Sequence, residues 1–221
     1  MRTFELWGRT EWFRARVREA ERVVEEALSR FNRPYVAFSG GKDSTALMHI
    51  VLRKDPNVTV VHWDYGPFFV PRELHREILS IARGCGARDI RVLSSQLYWK
   101  LGRKARNVLG KVFIGQVIPQ LIREGYDCAF LGLRAEEGVK RRLRTSSFYE
   151  RDERGITNVF PLRNWTWKDV WAYIVIREVP YLKSYYDKYS EVLGYGKTRF
   201  VTLFDPEFEK YGSTNVDGVL A

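Results

Sequence analysis

Ser39-Gly40-Gly41-Lys42-Asp43-Ser44 is the stretch from which the fold of this chain can be derived. The apolar run Tyr35–Phe38 precedes it and predicts a short buried strand. The residues after it, beginning at Ala46, place apolar side chains at helical spacing. We therefore expect a strand that passes through a glycine turn into a helix.

The two glycines of this turn predict a binding site for an anion. Without a Cβ, Gly40 and Gly41 allow a sharp turn and let a bulky anion approach the backbone. The first N–H groups of the following helix have no internal partners and carry the positive end of the helix dipole, which suits a phosphate. Ser39 and Ser44 add hydroxyl donors, while Asp43 could hold a cation or cap the helix. The other interpretation, a tight turn with a good helix cap, needs no ligand.

The turn differs from two common nucleotide-binding motifs. A P-loop needs Gly-Lys followed by Ser or Thr, whereas Asp43 follows Gly41-Lys42 here. The Gly-x-Gly-x-x-Gly dinucleotide fingerprint does not match either. The six residues resemble instead the Ser-Gly-Gly-x-Asp-Ser pyrophosphate loop of the adenine-nucleotide α-hydrolase superfamily. That resemblance implies binding of ATP or a related adenylate, with chemistry at the α-phosphate.

The composition describes a globular chain with an excess of positive charge. The 221 residues suit a single domain, and 45% of them are apolar. The 37 basic and 27 acidic residues leave a net charge of +10, which favours an anionic partner such as a nucleotide or RNA. A solvated basic surface explains the same charge without any partner. Scarce glutamine together with abundant Arg, Glu and Lys is typical of a thermophilic source.

Cysteine usage and hydropathy indicate a cytoplasmic location. Cys85 and Cys128 are isolated, so no disulfide framework or zinc site is expected, and Cys128 lies in an apolar run that predicts burial. The charged segment Met1–Arg22 does not resemble a signal peptide, and no stretch has the length of a membrane span. We therefore expect a cytoplasmic protein without a membrane partner.

Strands and helices alternate along the rest of the chain. This alternation predicts a mostly parallel, twisted sheet with helices on both faces, a Rossmann-like α/β fold. Right-handed crossovers place the carboxyl ends of the strands, and any ligand, along one edge of such a sheet. Strands are predicted at 58–63, 90–93 and 126–132, a hairpin at 146–160, and helices at 11–31, 71–85, 112–124 and after the N-cap Thr166.

The chain divides into three predicted segments. Residues 1–33 form an N-terminal helix that packs on the core, 34–178 form the nucleotide-binding α/β domain, and 179–221 form a helical or irregular C-terminal extension. Within the extension, Tyr195–Arg199 is a candidate for the acceptor side. The basic stretch between 94 and 110 is interpreted as a solvated loop or as a lid over phosphates.

Asp64 follows the second predicted strand, at the edge where open α/β sheets bind ligands. Its carboxylate could accept a hydrogen bond from a ribose hydroxyl or from the adenine amine. The superfamily resemblance also implies an acidic residue after this strand. The alternative is a plain turn residue in Asp64-Tyr65-Gly66, but we predict a nucleotide contact.

A second group of candidate functional residues, Gly132–Glu137, begins at the end of the fourth predicted strand. Gly132 permits close approach of the backbone, and Arg134 presents a guanidinium fork that suits phosphate or sulfate. Glu136 or Glu137 could orient that arginine or help to hold a metal ion. A solvated helix start explains the same charges, but the predicted position beside the glycine turn favours function. Lys42, Arg134 and Glu137 are therefore the predicted catalytic residues.

A third motif narrows the resemblance. Residues 161–174 read Pro-Leu-x-x-Trp-Thr-x-x-Asp-Val-Trp-x-Tyr-Ile, and Val179-Pro180-Tyr181 and Tyr186-Asp187 follow. With the two earlier motifs, this order resembles the 3′-phosphoadenylylsulfate (PAPS) reductase family, whose wider group includes the small subunit of ATP sulfurylase and eukaryote-type FAD synthetase. The resemblance implies phosphate binding by Ser39, Gly40, Gly41, Asp43 and Ser44, and a position near the ribose and α-phosphate for Gly132 and Arg134.

The sequence departs from the PAPS reductases in its thiols. A thiol-dependent PAPS reductase carries a catalytic cysteine in its C-terminal segment, whereas this chain has no cysteine after Cys128. The other side chains there cannot replace a thiolate as the nucleophile on sulfur. The sequence therefore predicts adenylyl transfer from ATP with release of pyrophosphate, supported by Mg²⁺ at Asp43. The acceptor is predicted to be sulfate, FMN or an RNA base.

Two alternative functions stay open from the residues alone. One is a protein that binds PAPS or adenylylsulfate (APS) and uses the thiol of a partner. The other is a non-enzymatic subunit that binds a nucleotide or RNA through its basic surface. For the assembly, we expect a homodimer or a complex with a second subunit.

Overall fold

The computed structural model describes residues 1–102, 104 and 113–200. Within these residues, the predicted alternation of strands and helices is confirmed. The strands are β1 Pro34–Phe38, β2 Thr59–Asp64, β3 Ile90–Ser94, β4 Cys128–Phe130, β5 Tyr149–Arg151 and β6 Thr157–Val159. The helices are α1 Arg2–Gly8, α2 Glu11–Arg30, α3 Lys42–Lys54, α4 Arg72–Gly84, α5 Gln96–Leu101, α6 Ile118–Arg123, α7 Val139–Arg144, α8 Trp167–Ile176 and α9 Lys183–Leu193.

The described strands form one sheet in the order β3-β2-β1-β4-β6-β5. All neighbouring strands are parallel except β5 and β6, which form the predicted antiparallel hairpin. Phe38 lies beside His62, and Asp64 lies beside Ser94, so the carboxyl ends of β1, β2 and β3 meet at the same edge. The predicted fold class, a mostly parallel α/β sheet, is confirmed.

Helices cover both faces of the sheet. Tyr35 and Val36 are adjacent on β1 but belong to different hydrophobic clusters, because successive side chains of a strand point to opposite faces. The cluster around Val36 includes side chains of α2, α3 and α8, whereas the cluster around Tyr35 includes Tyr98 of α5 and Leu121 of α6. None of the helices in the described residues is long and apolar enough to cross a bilayer.

Capping side chains determine where two of the helices begin. Thr10 accepts a hydrogen bond from the Phe13 N–H and starts α2. Thr166, the predicted N-cap, exchanges hydrogen bonds with Asp169 in a capping box at the start of α8. The Asp169 carboxylate also accepts the Trp7 Nε1–H at 2.8 Å. This contact fastens α1 to the beginning of α8.

The structure differs from the sequence prediction in three elements. β4 is shorter than the predicted strand 126–132, because the residues after Phe130 leave the sheet as irregular backbone. The described part of the predicted helix 112–124 is a π-helical turn, Phe113–Val117, followed by α6. α1 had no sequence signal, since its seven residues are too few to show a helical period.

Two further predictions reach residues outside the described ranges. Residues 103 and 105–110 of the basic stretch that we interpret as a loop or lid lie there, and the beginning of the stretch forms α5 and not a loop. Ser95 caps α5 by accepting a hydrogen bond from the Leu97 N–H. The C-terminal part of the predicted extension, 201–221, also lies outside the description, while its first part contains α9.

Candidate functional site

A cavity of about 330 Å³ lies beside the glycine turn, at the carboxyl edge of the sheet. The glycine turn and the end of β4 therefore meet at one site. Gly40, Asp64 and Arg134 are not part of the cavity wall. The predicted residues that do line it are Ser39, Gly41, Lys42, Asp43, Ser44, Gly132 and Glu137.

Serine hydroxyls hold the glycine turn in shape. Gly40 has a φ of +87°, a conformation that glycine adopts without strain. The Ser44 hydroxyl donates to the Gly41 carbonyl at 2.9 Å and lies 3.0 Å from the Ser39 hydroxyl oxygen. Ser39 Oγ in turn accepts the Gly41 N–H at 3.3 Å. The N–H groups of Asp43 and Ser44 have no hydrogen-bond partner among the described residues, so they stay available at the start of α3.

Gly132 brings the end of β4 against the start of α3. A Cβ at this position would lie 3.0 Å from the Ser44 nitrogen and 3.1 Å from the Asp43 carbonyl oxygen. Both neighbours are backbone atoms, which cannot rotate away as a side chain can. The close backbone approach predicted for Gly132 is therefore present in the structure.

Alternating charges run behind the glycine turn. The Lys42 ammonium lies 2.9 Å from Asp43 Oδ2, and Arg134 Nε donates to Asp43 Oδ1 at 2.5 Å. Arg134 Nη1 also donates to Glu136 Oε2 at 2.5 Å. Burial opposes ionisation of Asp43, but Lys42 and Arg134 outweigh it and hold its pKa below the ordinary value. Arg134 thus directs its guanidinium at carboxylates of its own chain.

Glu137 extends this arrangement to the C-terminal end of the described chain. Its carboxylate accepts a hydrogen bond from Arg199 and lies 3.8 Å from both Arg141 Nε and Arg134 Nη2. Four basic side chains thus lie close together beside the cavity, where their positive charge favours an anionic ligand. We name these residues the charge network: Lys42, Asp43, Arg134, Glu136, Glu137, Arg141 and Arg199.

The donor atoms around Asp43 do not fit the predicted Mg²⁺ site. Both carboxylate oxygens already interact with cations, Oδ1 with Arg134 and Oδ2 with Lys42. Mg²⁺ demands an octahedral set of oxygen ligands. In the part of the chain that the structure describes, no group of three or more His, Cys, Asp or Glu side chains could hold a metal ion. The positive charge beside the cavity therefore comes from lysine and arginine side chains of the chain itself.

Asp64 closes β2, and its carboxylate is only 8% exposed. Arg72 donates to its two oxygens at 2.9 and 2.8 Å, and the Gly66 N–H donates to Oδ1 at 2.8 Å. Burial opposes its ionisation, but the hydrogen bonds from Arg72 and Gly66 hold the pKa of Asp64 below the ordinary value. Asp64 thus fixes the turn that carries Tyr65 into the cavity wall. A direct contact with ribose or adenine stays a prediction.

His62 lies in the cavity wall and makes the fold sensitive to acid. Its Nδ1–H donates to the Phe38 carbonyl at 2.8 Å. Burial lowers the pKa of His62 from 6.5 to about 4. The unfolded chain therefore binds this proton more readily than the folded chain. The stability that depends on neutral His62 is fully present above pH 6.5 and is lost as the pH falls towards 4.

We expect the contribution of His62 to the free energy of unfolding, measured with urea, to fall by about 2–3 kcal/mol between about pH 7 and pH 4.5. His62→Gln should remove that contribution and flatten the pH dependence. His49, whose pKa burial also lowers to about 4, should supply part of the remaining slope. A pH dependence that is the same in His62→Gln and the wild type would contradict this expectation.

The C-terminal end of the described chain lies over the glycine turn. The hydroxyl of Tyr186, on α9, accepts the Lys42 N–H at 2.9 Å and the Phe200 N–H at 3.3 Å. The neighbouring Tyr185 hydroxyl donates to the Arg199 carbonyl at 2.9 Å. These contacts place Arg199 and Phe200 in the cavity wall. The segment predicted to shape the acceptor side thus reaches the cavity at its last residue.

Sequence reasoning assigned no individual role to three residues of this wall. His62 lies in the predicted strand 58–63 and Tyr186 in the third motif, but neither pattern indicates what the side chain contacts, and Arg141 lies in no motif. The position of His62 near the carboxyl end of β2 was a signal that could have been used. Tyr186 and Lys42 are 144 positions apart, so no local pattern reveals their contact.

Neither thiol of the chain reaches the cavity. Cys128 is fully buried in β4, which confirms its predicted burial, and this burial raises its pKa. Cys85, at the end of α4, is a free thiol whose pKa burial raises to about 12. Both thiols therefore stay protonated near neutral pH, and neither is placed to attack a bound ligand.

Comparison with known proteins identifies relatives of this chain. The model of the phosphoadenosine phosphosulfate reductase domain matches residues 33–199. Sulfate adenylyltransferase subunit 2 of Mycobacterium bovis (strain BCG / Pasteur 1173P2) is 32% identical over 190 residues, which cover 73% of this chain and 60% of that protein. The chain spans about three fifths of the length of the curated relatives that it matches.

Two solved structures share the fold. PAPS reductase from Candida auris, in a phosphate complex, has a TM-score of 0.58 at 19% identity and covers 77% of this chain and 85% of its own. FMN adenylyltransferase from Candida glabrata has a TM-score of 0.58 at 13% identity, with 79% and 58% covered. Because the matched domain runs from the residue before β1 to Arg199 in the cavity wall, the chain belongs to the phosphoadenosine phosphosulfate reductase domain family, within the adenine-nucleotide α-hydrolase superfamily.

Proposed function

We propose that this chain binds ATP in the cavity and transfers the adenylyl group to an acceptor, with release of pyrophosphate. The observation that carries the proposal is that residues of the glycine turn and of the charge network line a cavity that neither thiol reaches. A helix N-terminus with unpartnered N–H groups suits a polyphosphate. Reduction of a sulfonyl group needs a thiolate nucleophile. Membership of the family supports an adenine nucleotide as the ligand.

In this proposal, the phosphates replace carboxylates as partners of the cations. The polyphosphate lies against the N–H groups of Asp43 and Ser44. Lys42 and Arg199 belong to the cavity wall, so we assign both to the phosphate oxygens. Arg134 lies behind the wall and holds Asp43, so we assign it a positioning role.

The reaction is an attack of an acceptor oxygen on the α-phosphorus. The new bond joins the acceptor to AMP, and the bond from the α-phosphorus to the bridging oxygen breaks. Its electron pair leaves with pyrophosphate, whose developing charge is stabilised by the N–H groups of the turn and by Lys42. Sulfate and the phosphate of FMN attack as anions, so neither needs a general base. The adenosine half lies against the apolar wall formed by Val61, Trp63 and Leu131.

The names of relatives guide the choice of acceptor and assembly. One relative is a sulfate adenylyltransferase subunit 2, and one structural neighbour is an FMN adenylyltransferase. Sulfate and FMN are therefore the first acceptors to test, and RNA is the third because of the net charge of +10. Because this relative is named as a subunit of an enzyme, we propose that a second, different chain is the partner. A homodimer is the alternative assembly.

The experiment follows ATP labelled either at the α- or at the γ-phosphate. With the right acceptor, the α-label should appear in an adenylylated product and the γ-label in an equal amount of pyrophosphate. Formation of orthophosphate without pyrophosphate would exclude attack at the α-phosphorus.

The family description favours one second candidate, a protein that binds PAPS or APS and uses the thiol of a partner. Release of sulfite from PAPS only after addition of thioredoxin, without turnover of ATP, would establish this candidate. The non-enzymatic alternative has a different signature. It requires salt-dependent RNA binding without turnover, which Ser39→Ala and Asp43→Ala leave unchanged.

Gly132→Ala is expected to weaken ATP binding about tenfold and to lower the free energy of unfolding by about 1–3 kcal/mol. The added methyl group would lie 3.0 Å from the Ser44 nitrogen, so the glycine turn must shift and its N–H groups lose alignment with the phosphates. Gly115→Ala is the matched control, because a Cβ there meets nothing within 4 Å. Equal ATP affinities of the two variants in calorimetry would contradict the proposed position of the phosphates.

A further inference from the structure

The hydroxyl proton of Tyr186 has no acceptor in the described part of the chain. The side chain is 1% exposed, yet it forms part of the cavity wall. Its oxygen accepts two backbone N–H groups, from Lys42 at 2.9 Å and from Phe200 at 3.3 Å. A phenol has one O–H donor and two acceptor sites, so both acceptor sites are in use. Among the described residues, no group accepts a hydrogen bond from Tyr186.

A buried donor without a partner is costly, so this hydroxyl is suited to a ligand that supplies an acceptor. The same contact removes the Lys42 N–H from the donors that the start of α3 offers to an anion. Tyr186 replaces that N–H with its own O–H. Burial raises the pKa of Tyr186, so the group keeps its proton near neutral pH and remains a donor.

We infer that the Tyr186 hydroxyl donates a hydrogen bond to a phosphate oxygen of the bound nucleotide. This inference rests on the proposed function, in which the polyphosphate lies at the glycine turn. The Lys42 N–H, the Tyr186 hydroxyl and the phosphate oxygen then form a chain of two hydrogen bonds, and each strengthens the other by polarisation. Because Tyr186 also accepts the Phe200 N–H, the contact links phosphate binding to Arg199 and Phe200, which we call the covering segment of the glycine turn.

Tyr186→Phe tests the inference, with Tyr185→Phe as the matched control. Tyr185 belongs to the same helix, and its hydroxyl holds the same covering segment at the Arg199 carbonyl, but it is not in the cavity wall. Binding of ATP, pyrophosphate and adenosine is measured by calorimetry for each variant. We expect Tyr186→Phe to weaken ATP and pyrophosphate binding by about tenfold or more and to leave adenosine binding within about twofold. Tyr185→Phe should leave all three affinities within about twofold.

Equal losses in the two variants would overturn the inference, because they would mean that the tyrosines only hold the covering segment. Unchanged pyrophosphate affinity in Tyr186→Phe would overturn it as well. Failure of the proposed function gives a different result, since the wild type would then bind neither ATP nor pyrophosphate.

A second measurement covers the case in which Tyr186→Phe does not fold. Site-specific replacement of Tyr186 by 3-fluorotyrosine keeps the packing and both accepted hydrogen bonds but makes the hydroxyl a stronger donor. Pyrophosphate affinity should then rise by about twofold or more. An unchanged or lower affinity would overturn the inference.

Discussion

Arg134→Met is expected to lower the free energy of unfolding by about 3–5 kcal/mol and to abolish ATP binding. Arg134 is only 3% exposed, and its guanidinium donates to Asp43 and Glu136 at 2.5 Å each. Methionine fills a similar volume but leaves these carboxylates without this cation. Asp43 keeps Lys42 as a partner but loses the second cation, so more negative charge faces the proposed phosphate site. Urea unfolding and calorimetry with ATP measure the two effects.

Arg144→Met is the control for loss of an arginine in general. Arg144 lies 3.4 Å from Glu150 in an ion pair in which both side chains are exposed, and such pairs contribute about 0–1 kcal/mol. Combining Arg134→Met with Asp43→Asn should recover part of the lost stability, because the double variant no longer buries a carboxylate that has lost one of its two cations. If Arg134→Met is no less stable than Arg144→Met, the charge network does not stabilise the fold as its geometry indicates.

Lys42→Met is expected to lower kcat/KM for pyrophosphate release about 100- to 1000-fold. Lys42 belongs to the cavity wall, and in the proposed function its ammonium stabilises the charge that develops on the leaving pyrophosphate. Methionine keeps an unbranched side chain in a position that is 1% exposed, and Asp43 retains Arg134 as a partner. We therefore expect a folded protein with a large loss in kcat. Steady-state assays of pyrophosphate release provide the measurement.

Lys54→Met is the matched control at the other end of α3. Lys54 pairs with Glu25 at 2.6 Å and is not in the cavity wall, so its removal should leave kcat/KM unchanged. A Lys42→Met variant in which only KM rises would mean that Lys42 binds substrate and transition state equally. Wild-type activity in Lys42→Met would mean that the ammonium serves only to neutralise Asp43.

Local sequence patterns are sufficient to predict an element when the residues that determine it are close together in the chain. The strand before the glycine turn, the turn and α3 follow from apolar spacing and from the conformational freedom of Gly40. Thr166 was predicted as an N-cap for the same reason, since its capping box involves only the next three residues. The close approach at Gly132 also follows from the sequence, because a glycine at the end of a strand allows another group to come near the backbone. The sequence does not tell which group this is, and the structure shows that it is the backbone of Asp43 and Ser44.

The sequence by itself determined the mostly parallel α/β fold, the glycine turn at its carboxyl edge and the absence of a thiol after Cys128. Only the tertiary structure decided that Arg134 holds Asp43, 91 positions away, and that Tyr186 accepts the Lys42 N–H. The physical reason is the range of the forces involved. Helical and strand periods and turn conformations depend on neighbouring residues, whereas a charge or a hydroxyl can pair with any partner that the order of the strands brings within reach.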